Sequence, residues 1–140
     1  MSKLVSIVLV IAILLVTLAG CSGDTAAAAA ADAQKRVCES NATLQGSISS
    51  FASADPDTKV ADLKQVKAKL DGPVQLIKTA NSVLKQPQLD TMLAAYAELS
   101  KTIDGLSGDT LGDASAKIQI GAQALDDALR LVSTALKCSQ

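Results

Sequence analysis

Apolar residues recur three and four positions apart through four successive stretches of this chain, and that spacing admits few folds other than packed helices. The first stretch carries Val37, Leu44, Ile48 and Phe51, with the polar Asn41 on the same stripe. The second carries Val60, Leu63, Val66, Leu70, Val74, Ile77 and Leu84. Leu89, Leu93, Tyr96, Leu99, Ile103 and Leu106 form the third, and Leu111, Ala114, Ile118, Ala122, Leu125, Leu129, Val132 and Leu136 the fourth. Such spacing puts each set on one helical face that must be covered. Strand-like alternation is nowhere sustained, so the expected class is all-α, an antiparallel helical bundle.

The start of the chain follows a different logic. Met1-Ser2-Lys3 supplies one positive charge, and Leu4 to Val16 is apolar except for Ser6. Small residues, Ala19-Gly20, then precede Cys21. A basic start, an apolar run and a small-residue cut site are the parts of an export signal. The run is shorter than the roughly 20 apolar residues of a spanning helix. Leu18-Ala19-Gly20-Cys21 resembles the lipobox of bacterial lipoproteins, and the resemblance covers about the first 23 residues. It implies that the Cys21 thiol takes a diacylglyceryl group and that a peptidase cuts so that Cys21 becomes the mature N-terminus. Each buried CH₂ contributes about 0.8 kcal/mol, and one acyl chain alone binds reversibly, so two or three chains make attachment effectively permanent. The chain is therefore expected on the cell membrane or outer membrane, facing periplasm or exterior. Ser22, where an Asp would favour inner-membrane retention in the lipoprotein family, leans towards the outer one.

With Cys21 committed to lipid, two of the three cysteines remain, Cys38 and Cys138. In an exported protein an even remainder reads as one disulfide; the alternative is two free or intermolecular thiols. A Cys38–Cys138 bridge closes a loop of about 100 residues, for which the chain-entropy model gives about 4–5 kcal/mol. The expected layout is a signal peptide over 1–20, a lipidated alanine-rich tether over 21–33 and a bundle domain over 34–140. Ala26 to Ala31 favour helix but offer no large side chain to bury, so the tether is expected to extend the first helix as a frayed rod.

Punctuation falls between the stripes. Asp55-Pro56-Asp57 looks like a cap followed by proline in a first turn, and Gln86-Pro87 ends one helix and opens the next. Gly105 to Asp109 supplies a turn with Asp109 as the expected cap. Asp71-Gly72-Pro73 lies inside the second stripe and either kinks a long helix or splits it. A bridge between the start of the first helix and the end of the last requires an even helix count, so four helices with a kink near Gly72-Pro73 are expected. The last stripe is longer than the stretch from Cys38 to Ser53, and kinking and tilting must absorb the difference. Ala80, Ala94, Ala95, Ala97, Ala114, Ala122, Ala124, Ala128 and Ala135 are expected to crowd the core. Such a core buries little area per residue, giving a narrow bundle that leans on its disulfide.

The chemistry offered is sparse. There is no histidine, so nucleophile–histidine pairs are excluded, and GxSxG is absent. Asp126 and Asp127 point about 100° apart on a helix and make no acid/base dyad. Asp104, Asp109 and Asp113 do not match a calcium loop. Lys59, Lys64, Lys67 and Lys69 are interleaved with Asp57, Asp62 and Asp71, a mixed charged face. Asn41-Ala42-Thr43 matches a glycosylation sequon that carries no weight in a bacterial chain; Asn41 reads better as a buried residue fixing helix register. One Phe and one Tyr are the only aromatics, too few for a stacking platform. The mature side chains sum to about −2, which gives no footprint for nucleic acid.

No catalytic residue, metal ligand or cofactor is expected; the chain is read as a non-enzyme. The reading is a lipid-anchored cell-envelope protein whose helical faces bind another protein or play a structural part. A prophage-encoded lipoprotein that excludes superinfecting phage is one alternative; a carrier of hydrophobic ligand between the helices, or an unrecognised enzyme, is the other.

Overall fold

The structure, a computed structural model, describes residues 21–138. The export signal and cut site expected over residues 1–20 lie outside the described residues. Among the described residues four helices follow in order: α1 (Cys21–Ala52), α2 (Val60–Leu84), α3 (Pro87–Asp104) and α4 (Ser115–Ala135), the last entered through a 3₁₀ turn at Gly112–Ala114. Among the described residues there is no strand, only an isolated bridge between Lys59 and Thr110. The chain divides into two compact units between Asp32 and Ala33, within α1. In the first unit Asp24 to Ala29 are exposed and helical, as alanine's propensity favours. The bundle belongs to the second. No helix among the described residues is long and apolar enough to cross a membrane.

Neighbouring helices run antiparallel. Lys67 meets Asp104 near one end of the α2–α3 seam and Asn81 meets Asp90 near the other. Gln34 reaches the Leu136 carbonyl, while Gln119 reaches that of Ala54, which sets α1 and α4 head to tail. Leu99 of α3 lies against Gly121 of α4, where an added Cβ would sit 3.0 Å from the leucine Cδ1. A side chain at 121 would therefore displace Leu99, which is why the two helices approach closely there. Cys38 and Cys138 are joined by a disulfide, with Cα atoms 5.4 Å apart. The expected even count, the four-helix bundle and the closing bridge are all present.

Turn chemistry at the α2–α3 corner follows the sequence closely. Pro87 occupies the first helical position of α3 after an extended Gln86, where its missing N–H costs nothing. Lys85 ends α2 in the left-handed region, φ 50°, and donates its N–H to the Asn81 carbonyl. Asn81 also accepts from the Gln86 N–H at 2.9 Å and donates to Asp90 at 2.7 Å. One side chain thus satisfies both sides of the corner.

Elsewhere the caps differ from expectation. Asp55-Pro56-Asp57 does not begin α2; the Asp55 carboxylate accepts from the Asp57 N–H and the Thr58 hydroxyl, closing a local turn. α2 starts at Val60, whose N–H donates to the main-chain carbonyl of Asp109 at 3.0 Å. Asp109 is accordingly no helix cap: α4 starts six residues later, and no side chain caps it. The loops at 53–59 and 105–114 pair with each other through Leu111 N–H to Thr58 and Gly112 N–H to Pro56. That pairing satisfies main-chain groups that side-chain caps would otherwise serve.

Gly72-Pro73 does not split α2, which continues through both residues. The local cause of a kink is present, because Pro73 has no N–H for the carbonyl of Lys69. The length difference expected between the first and last helices is mostly met elsewhere. Gln119 stands level with Ala54, so Leu111 to Ile118 lie beyond the end of α1, where the loops pair.

The core is aliphatic rather than alanine-rich. Leu44, Leu70, Ile77, Leu89, Leu99, Ile103, Ile118, Leu125 and Leu129 are fully buried, together with Phe51 and Met92. Of the alanines expected inside, Ala80, Ala122 and Ala128 are buried, while Ala94, Ala97, Ala124 and Ala135 are exposed. These four fall between stripe positions, where alanine contributes helix propensity rather than packing.

Candidate functional site

Among the described residues, clefts open along two seams of the bundle. The first, about 530 Å³, runs between α2 and α3 over Val74, Leu93, Tyr96 and Ala97, with Lys78 and Lys101 among its walls. At one end Lys67 sits between Asp71 and Asp104, at 3.7 and 3.4 Å. The Tyr96 hydroxyl donates to the Asp71 carboxylate. Burial, together with that bond and the negative charges of Asp71 and Asp104, pushes the Tyr96 phenol well above its usual range. The hydroxyl therefore stays protonated and serves as a donor, not a base.

The second cleft, about 550 Å³, lies between α1 and α4 and is lined by Gln45, Ile48, Ser49, Ala52, Gln119, Ala122, Gln123 and Asp126. A buried polar group lies next to it. Asn41 is 1% exposed, and its amide donates to the Ser133 hydroxyl at 2.7 Å and the Leu129 carbonyl at 3.3 Å. Its own carbonyl oxygen has no partner. A buried Asn bonding across a seam favours one register over its neighbours, since sliding the helices would strand the amide. Gln45 donates to the same hydroxyl at 3.4 Å.

The residues singled out in the sequence are scattered. Asp126 binds Arg130 at 2.9 Å one turn along its own helix, and Asp127 is exposed beside it. Asp104 is tied to Lys67, and Lys64 donates to the Leu106 carbonyl at 3.1 Å. Among the described residues no three His, Cys, Asp or Glu side chains come close enough to hold a metal ion. Cys38 and Cys138 are joined, and Cys21 stands at the start of α1, seventeen positions before Cys38. Sequence reasoning missed the clefts and the Tyr96–Asp71 bond. The one available signal for the latter was Asp71 standing directly after the stripe residue Leu70, on the helix that runs antiparallel to the one carrying Tyr96.

No family model, no curated protein and no solved structure matches the chain.

Proposed function

We propose that the chain is a lipid-anchored cell-envelope protein, cut before Cys21 and held to a membrane by acyl chains on that cysteine. Its bundle is a non-catalytic module that binds another protein or serves a structural role. The observation that carries this reading is Leu18-Ala19-Gly20-Cys21 at the end of an apolar run. The Cys38–Cys138 disulfide supports it, because such bonds persist in oxidising compartments outside the cytosol. The cleft linings support the binding role: they offer amides, hydroxyls, lysines and apolar side chains. A carrier of hydrophobic ligand is the second reading, favoured by the inter-helical clefts themselves.

Cys21→Ser tests the anchor. Wild-type chain should incorporate labelled palmitate and sediment with membranes, whereas the variant should do neither; equal membrane association without label would refute the lipid anchor. Crosslinking in native membranes then tests the module. A defined protein adduct is expected, and a bound lipid visible by native mass spectrometry would favour the carrier instead.

A further inference from the structure

The α2–α3 cleft differs from the α1–α4 cleft in charge. Lys78 stands on one wall and Lys101 on the other, and no ion pair among the described residues engages either. Asp104, the acid lining the same cleft, shares Lys67 with Asp71, so these three lysines and two aspartates leave a net positive charge of one. The register set by Lys67–Asp104 and Asn81–Asp90 puts Lys101 opposite Leu70, roughly eight residues from Lys78 along α2, or about 12 Å. Between the two cations the floor is apolar, formed by Val74, Leu93, the Tyr96 ring and the exposed Ala97. Alanine on that wall lets a third backbone approach closely.

We propose that the α2–α3 cleft is a docking groove for an acidic amphipathic helix of a partner protein. The partner lays an apolar stripe on Leu93 and Ala97, above the buried Val74, and places carboxylates about two turns apart against Lys78 and Lys101. The separation of the cations selects this occupant. A single-headed amphiphile reaches one lysine, whereas two carboxylates eight residues apart on a helix span about 12 Å and stand about 80° apart around it, so both face the groove. Paired charges at such a rim contribute orientation and partner choice more than raw affinity. The proposal rests on the reading of the bundle as a binding module and narrows it to one seam.

The test uses the full chain in phosphatidylcholine nanodiscs and a labelled synthetic helix of about 18 residues. The probe carries a leucine stripe and two aspartates eight positions apart; its control has glutamine at both places, and empty nanodiscs report partitioning. Saturable binding of the acidic peptide is expected, weakened about five- to tenfold both by K78Q/K101Q and by the glutamine control. Both lysines are exposed, so helix content should stay unchanged in the variant. Equal binding of the two peptides, binding unaffected by K78Q/K101Q, or no saturable binding overturns the groove. So does saturable uptake of palmitate that K78Q alone abolishes. A partner crosslinked to another face of the bundle would defeat the groove while leaving the binding-module reading in place; the absence of any crosslinked partner would defeat both.

Discussion

The two seams made by α4 are held in contrasting ways. Against α3, it packs by shape: Leu99 fits over Gly121, with Ile103, Ile118 and Leu125 fully buried in the surrounding core. Against α1, apolar packing by Leu44, Ile48 and Phe51 is supplemented by polar bonds. Gln34, Asn41 and Gln119 each donate to a carbonyl of the facing helix or its adjoining turn, and a disulfide lies at one end. Shape-fitted seams derive stability from area and tolerate cavities poorly. Polar seams gain little net energy per bond but penalise every wrong register. The bundle therefore keeps its affinity on one side of α4 and its specificity on the other.

Removing the covalent tie should have the largest effect. C38S/C138S is expected to lose about 4–5 kcal/mol if the constraint acts on the unfolded chain, read as a lowered midpoint in urea. A loss under 1 kcal/mol would mean that the other contacts of the α1–α4 seam suffice without it. Leu99→Ala probes the opposite seam and should cost about 3 kcal/mol, because the void beside Gly121 has no side chain to fill it. Asn41→Ala should cost about 1–2 kcal/mol, leaving the Ser133 hydroxyl to find another partner in a buried site. The pair N41L/S133A should be close to neutral in stability yet broaden the amide NMR spectrum, since the register-setting bond is gone. If N41L/S133A stays sharply folded, the specificity assigned to that seam is misplaced.

The smallest effect concerns the edge of the α2–α3 cleft. Tyr96 is the only tyrosine and there is no tryptophan, so phenolate absorbance reports it alone. Its folded pKa lies above the unfolded value near 10. Stability from the protonated phenol is thus fully present below pH 10 and is lost as pH rises towards the folded pKa. Native protein should titrate at higher pH than denaturant-unfolded protein, and Y96F should flatten the fall in melting temperature above pH 10. Coincident titration curves would place Tyr96 in water.

How much of this was legible depended on the range of the signal. The stripes found nearly all of the core: Val37, Leu44, Ile48 and Phe51 are buried as the spacing required, as is every fourth-stripe residue except Ala114, which is half-buried. Periodicity also yielded the even helix count, once Cys38 and Cys138 were paired. Met92 escaped because it stands beside Leu93 and either could have led the stripe; Met92 is buried and Leu93 only partly so. The caps failed for a different reason. Asp55 and Asp109 are good capping residues locally, yet two loops far apart in sequence pair with each other and take over the main-chain groups. The clefts arise from packing between helices, for which one stripe read alone holds no information.

Under the proposed export, acylation of Cys21 and the bridge would form together, so intact mass of the product isolated from native membranes tests both. The account predicts a chain beginning at Cys21, heavier by its acyl groups and two hydrogens lighter for the Cys38–Cys138 bond. An unmodified chain beginning at Met1 with three free thiols would contradict it.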